Sequence, residues 1–202
     1  MKNKKFTRKS GYKAIVVGVS AGGVEALSRL FTDFPPDFPL SVLAVQHIHP
    51  DEDGALAVYL NGLSALPVTE AMDKEPVQAG HIYLAPPNYH LLVERNHTLA
   101  LSVDERVNYA RPSIDVLFES AAEVWRAQLI GVVLTGTNRD GAAGLRRIHE
   151  LGGLTIVEDP NTAVYPIMPQ FALAATEVDM VLPLAQIGPA LVKAAGAVSR
   201  EP

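Results

Sequence analysis

Residues 14–23 read AIVVGVSAGG. Ala14–Val19 is apolar apart from one glycine and carries no charge, and it stops at Ser20-Ala21-Gly22-Gly23. A short, uninterrupted apolar run predicts a strand buried on both faces, as in a parallel sheet covered by helices. After the glycine pair, Val24, Leu27, Leu30 and Phe31 recur at a spacing that predicts an amphipathic helix. Pro35-Pro36 ends that helix. A buried strand that feeds a helix through a glycine turn sets the fold class.

The same pattern repeats outward from this stretch. SVLAVQ (41–46), LIGVVL (129–134) and LTIV (154–157) predict further buried strands, with a shorter one at 180–182. Asp51, Glu52 and Asp53 place negative charge at the start of a predicted helix, which suits its dipole. Leu56, Val58, Tyr59 and Leu60 supply its apolar content. Pro112 opens a helix lined by Ile114, Leu117, Phe118, Ala121 and Trp125. Further helices are predicted over 140–151, 170–175 and 187–198. Between them, 68–71, 81–85, 90–94 and 98–103 predict a β-rich insertion, with Arg95-Asn96-His97 as a hairpin turn. The expected fold is α/β, a doubly wound, mostly parallel, Rossmann-like three-layer sheet with an antiparallel hairpin insertion at its edge.

Composition bounds the function. The 202 residues, 48% hydrophobic and 19% charged, fit one folded domain. With no cysteine, disulfides, thiolate metal sites and a cysteine nucleophile are excluded. Residues 1–13 hold Lys2, Lys4, Lys5, Arg8, Lys9 and Lys13 and no acid, and they read as a basic, disordered arm. The domain is expected over 14–198, and its acidic balance makes nucleic acid a poor partner. No apolar run approaches the roughly 20 residues that span a bilayer, and the first is too short for a signal peptide. The expectation is a cytoplasmic protein that is not membrane-embedded.

In an open parallel sheet, ligands bind beyond the carboxyl ends of the strands. There the first strand delivers Ser20, the second Gln46-His47, and the third the loop from Thr135 to Gly141, with Asp140. Serine needs an adjacent base to become a nucleophile. Histidine exchanges protons near neutral pH, and a buried carboxylate fixes its tautomer. Taken singly, Ser20 and Asp140 read as helix N-caps and His47 as a core histidine. Placed together at one sheet edge, they read as a catalytic triad. Ala21 and Gly22 at the helix start, and Thr137, are candidate oxyanion donors, with Met168 beside the substrate. His47, His49 and Asp51 form a weaker metal-ligand candidate. His81, His90 and His97 read as polar surface or edge residues.

At these residues the sequence resembles the catalytic domain of the chemotaxis receptor protein-glutamate methylesterases, the CheB family. The resemblance is carried by GVSAGG (18–23), VQH (45–47), GHIYLAP (80–86), RPSIDVLF (111–118), LTG (134–136) and DGAAGL (140–145), with Glu158-Asp159-Pro160 and Met168-Pro169. It runs from about residue 14 to 194. It implies Ser20, His47 and Asp140 as the catalytic residues, a doubly wound fold, and no cofactor or metal. The implied reaction is hydrolysis of glutamate γ-methyl esters on methylated chemoreceptors or a related signalling protein, releasing methanol, with glutamine deamidation in some members. Three departures stand out. Ala21 replaces the usual threonine, and Thr137-Asn138 replaces the Met-Gly of the aspartate loop. Only 13 residues precede the first strand, where the family usually has a receiver domain, so the expectation is either a stand-alone esterase without a receiver domain or one that meets a response-regulator partner in trans. Two alternatives compete with the esterase: a catalytically impaired, protein-binding signalling module, and a phosphate or nucleotide binder built on Gly22-Gly23.

Overall fold

The computed structural model describes residues 11–48, 51 and 54–196. The basic arm through residue 10, His49 with its metal-site reading, the Glu52-Asp53 helix start and residues 197–198 of the last helix lie outside the described residues.

The apolar runs become strands because each is covered from both sides. β1 (Ala14–Val19) and β2 (Ser41–Gln46) are buried at every residue. So are β7 (Leu129–Val133) and β8 (Leu154–Glu158). With β3 (Val68–Glu70), β4 (Ile82–Leu84) and β9 (Met180–Leu182), they form a seven-stranded parallel sheet in the order β3-β4-β2-β1-β7-β8-β9. Helices α1 (Gly23–Thr32), α2 (Ala55–Asn61) and α6 (Leu184–Gly196) cover one face. The other face is covered by α3 (Ile114–Trp125), α4 (Ala142–Glu150), α5 (Ile167–Ala175) and the hairpin β5 (His90–Val93)–β6 (Leu99–Ser102).

This is the doubly wound fold that the pattern predicts. The insertion divides differently from the expectation. Its first two segments, β3 and β4, are parallel members of the main sheet. Only β5 and β6 are antiparallel, and they form a separate two-stranded sheet packed against α3. In α2 the buried residues are Ala57 and Leu60, whereas Val58 and Tyr59 point to solvent. A helix of seven residues is too short for its hydrophobic phase to show in sequence.

The chain walks from β1 through β2 to β3 at the sheet edge, steps back to β4 between β3 and β2, returns through the hairpin and α3 to β7 beside β1, and then walks the other way. The direction reverses between β1 and β7, and their carboxyl ends flank a topological switch point.

Candidate active site

Extensions of the strand ladders hold three loops at this edge. Leu134 N–H donates to Gly18 O at 2.9 Å and Ser20 N–H to Thr135 O at 3.0 Å, carrying the β1–β7 pairing past the strand ends. On the other side His47 N–H donates to Val19 O at 3.2 Å. The Gln46 amide then ties nucleophile loop to base loop. Its Nε2 donates to Ser20 O at 3.0 Å and to His47 O at 2.8 Å. Gly23 is a glycine because a Cβ there would collide with the Gln46 side chain. Gly22, with φ +76°, caps α1 in the left-handed region that L side chains rarely adopt.

The geometry brings Ser20, His47 and Asp140 into one line. Ser20 Oγ lies 3.1 Å from His47 Nδ1, and His47 Nε2 lies 2.9 Å from Asp140 Oδ2. An ionised Asp140 accepts the Nε2 proton, so Nδ1 presents its lone pair to the serine hydroxyl. Ser20 does not cap α1, since its hydroxyl faces His47 and Gly22 holds the cap position.

Asp140 does not cap its own helix either, where Gly141 is the N-cap. It caps α3 instead. Oδ2 accepts Ile114 N–H at 2.6 Å, and Oδ1 accepts Asp115 N–H at 3.1 Å and the Ser113 hydroxyl at 2.8 Å. Asn108 Nδ2 adds a contact to Oδ1 at 3.0 Å. The carboxylate is fully buried. Burial alone would raise its pKa, but hydrogen bonds from His47, Asn108 and Ile114 outweigh it and hold the pKa below the usual value. Asp140 therefore stays ionised against His47.

Behind Asp140 stands a second carboxylate. Asp115 accepts Gly144 N–H at 2.7 Å and Asn108 Nδ2 at 2.8 Å. Burial, with the nearby Asp140 charge, pushes its pKa up to about 6. A raised folded-state pKa means that folding favours the protonated form. Asp115 therefore costs no stability below about pH 4, the unfolded value, and its cost grows until pH passes about 6. Urea midpoints of the native chain and Asp115→Asn between pH 4 and 7 check this. The native chain is expected to lose stability relative to the variant as pH rises through that window. A constant difference would refute it.

Sequence reading missed this support. Gln46, Asn108, Ser113 and Asp115 were not singled out for it, and His90 is not the surface residue expected. His90 is 1% exposed, accepts Ser113 N–H on Nδ1 at 3.2 Å and donates from Nε2 to Glu105 O at 3.0 Å. It thereby orients the serine that bonds Asp140. One signal was available, since polar Ser113 and Asp115 bracket the start of a helix whose other marked residues are apolar.

The remaining candidates separate. Among the described residues, no acceptor takes the N–H of Ala21, Gly22 or Thr137, so all three can donate to a ligand. Thr137 is exposed. Met168, expected beside the substrate, is buried, and its thioether packs against Gly136. It supports the loop from beneath, with its own N–H donating to Gly136 O at 3.0 Å. The half-exposed Tyr165 lies beside Gly22 instead. Thr135 N–H donates to the buried Glu158 at 2.8 Å, and burial raises the Glu158 pKa. Among the described residues, no group of three or more His, Asp or Glu side chains is placed to hold a metal ion.

Comparison with known proteins converges on one family. A family model described as CheB methylesterase matches residues 15–191. A Leptospira interrogans protein, provisionally named protein-glutamate methylesterase/protein-glutamine glutaminase, is 48% identical over 182 residues, covering 90% of this chain and 94% of its own. A Symbiobacterium thermophilum protein named for the same two activities is 40% identical over 184 residues. The match covers 91% of this chain and 51% of that relative. The crystal structure of the Thermotoga maritima CheB methylesterase catalytic domain superposes with a TM-score of 0.86 at 33% identity, covering 91% of this chain and 98% of that one.

Proposed function

The chain belongs to the CheB methylesterase family, and from that premise we propose that it hydrolyses glutamate γ-methyl esters on methylated chemoreceptors or a related signalling protein. The observation that carries this reading is the unbroken relay from Ser20 Oγ through His47 to Asp140 at the switch point of the sheet.

In this reading Ser20 Oγ attacks the ester carbonyl carbon as its proton passes to His47 Nδ1. Asp140 stabilises the imidazolium through Nε2–H. The backbone N–H groups of Ala21, Gly22 and Thr137, which have no acceptor among the described residues, are the candidate donors to the developing oxyanion, where fixed donors act most strongly. Collapse of the tetrahedral intermediate breaks the carbon–oxygen bond to methoxide, which leaves as methanol with the His47 proton. Water then gives a proton to His47 and its oxygen attacks the acyl-enzyme. The second collapse returns the proton to Ser20 and frees the glutamate side chain. A glutamine substrate follows the same course with ammonia as the leaving group. The two activities in the relatives' names support carrying both over.

The reading places one catalytic domain over 14–198 in the cytoplasm. No helix among the described residues is long and apolar enough to cross a membrane. It extends to a response-regulator partner in trans. Faster methanol release on adding a phosphorylated receiver domain would support that partner. The disabled-module reading is not favoured, because the altered loop still sets Asp140 against His47. The test is methanol release from methyl-esterified chemoreceptor by the native chain. Release is expected, and none, with or without the receiver domain, would sink the proposal.

A further inference from the structure

Asn138 stands in the site with no part in the reaction above. Its half-buried side chain makes two contacts. Oδ1 accepts Asp140 N–H at 2.9 Å, and Nδ2 lies 3.1 Å from His47 Nδ1. The first contact fixes the second, because turning the amide over would set its NH2 against the Asp140 N–H. With Asp140 holding the Nε2 proton, Nδ1 carries a lone pair and the amide donates to it. Ser20 Oγ lies 3.1 Å from that same nitrogen. One lone pair thus faces two donors.

We propose that Asn138 is a positioning residue that restrains the reaction, its amide occupying the His47 Nδ1 lone pair that Ser20 must use. The proposal rests on the reading of Ser20 as nucleophile and His47 as base. Once His47 takes the serine proton, Nδ1 becomes an N–H that faces the amide NH2, two donors with no acceptor between them. The amide must give way before the imidazolium is comfortable. The Asn138 NH2 donates to His47 Nδ1 and to none of the charged side chains around the ring, whereas its Oδ1 steadies Asp140 through the backbone N–H. Asp140 stays on Nε2, Asp115 stands behind it through Asn108, and Arg139 Nε is turned to Asn108 Oδ1 at 3.3 Å.

The test uses a fluorophosphonate, which needs no knowledge of the natural substrate. Ser20 Oγ forms the bond to phosphorus, fluoride leaves, and the serine proton goes to His47. Asn138→Ser keeps a short oxygen for the Asp140 N–H while removing the amide, and Asn138→Gly removes both. Losing one net hydrogen bond from the resting state is expected to speed labelling of Asn138→Ser roughly three- to tenfold. Nitrogen-15 NMR supplies a second readout. The His47 Nδ1 resonance, assigned by its loss in His47→Gln, is expected to move downfield in Asn138→Ser as the lone pair loses a donor. Slower labelling of both variants would overturn the proposal, since it would mean that the amide stabilises the transition state. Equal labelling with an unmoved resonance would overturn the restraint alone and leave the esterase reading standing. No labelling of any chain would overturn the nucleophile and the restraint together.

Discussion

Ser20→Ala is expected to lower methanol release from methyl-esterified receptor by about 10⁴-fold or more, the scale seen when one member of a catalytic triad is removed. The structure makes this a clean test, because the substitution deletes one oxygen with one side-chain partner, His47 Nδ1. The bonds that shape the loop belong to the Ser20 backbone. Its N–H donates to Thr135 O, and its carbonyl accepts Gly23 N–H and the Gln46 amide. All of them survive in alanine. Loss of one partly buried hydrogen bond moves stability by only about 1 kcal/mol. The variant should therefore unfold near the native temperature, with turnover gone. Thermal unfolding and methanol release on the same preparations check both halves. Turnover within tenfold of native would remove Ser20 as the nucleophile. A collapsed unfolding temperature would mean that the hydroxyl holds the fold.

The frame of this molecule was legible because its central strands are buried on both faces. The bounds of β1 and β2 match the apolar runs in the sequence, and β7 and β8 match within a residue. The short strands were not separable in the same way. β3 and β4 hold three residues each, and such runs do not reveal whether their neighbour lies parallel or antiparallel. Tertiary placement decided it, by setting β4 beside β2. In the site, the serine, histidine and aspartate could be singled out because each follows a strong strand. The partners that fix Asp140 could not. Asn108, Ser113 and the Asp115 amide reach it across gaps of 25 to 32 residues. No local pattern encodes a contact that only the packing of α3 against α4 creates. His90 shows the same limit, since a histidine opening a hairpin strand looks like surface until Ser113 N–H is seen pointing at its ring.

Asp140→Asn is the second large effect expected, and it separates electrostatics from shape. Both carboxylate oxygens are already filled with donors. Oδ2 faces His47 Nε2 and Ile114 N–H, and Oδ1 faces the Ser113 hydroxyl, Asn108 Nδ2 and Asp115 N–H. Asparagine must put an NH2 against one of these sets. Turned toward Oδ1, it opposes the Asp115 N–H and the Asn108 amide, with only the Ser113 hydroxyl free to rotate and accept. Turned toward Oδ2, it drives His47 to carry its proton on Nδ1, which takes away the lone pair that Ser20 needs. In either orientation the imidazolium loses the negative charge that stabilises it. A triad whose aspartate becomes asparagine loses about 10⁴-fold in kcat with its geometry nearly intact, and the same order is expected here. The buried NH2 leaves unpaired donors at the start of α3, so some loss of stability, about 1–3 kcal/mol, should accompany it. Fluorophosphonate labelling and urea unfolding of the one variant measure the two effects. Fast labelling of Asp140→Asn would show that His47 holds its tautomer without the carboxylate. Unchanged stability would show that α3 does not depend on Asp140 for its cap.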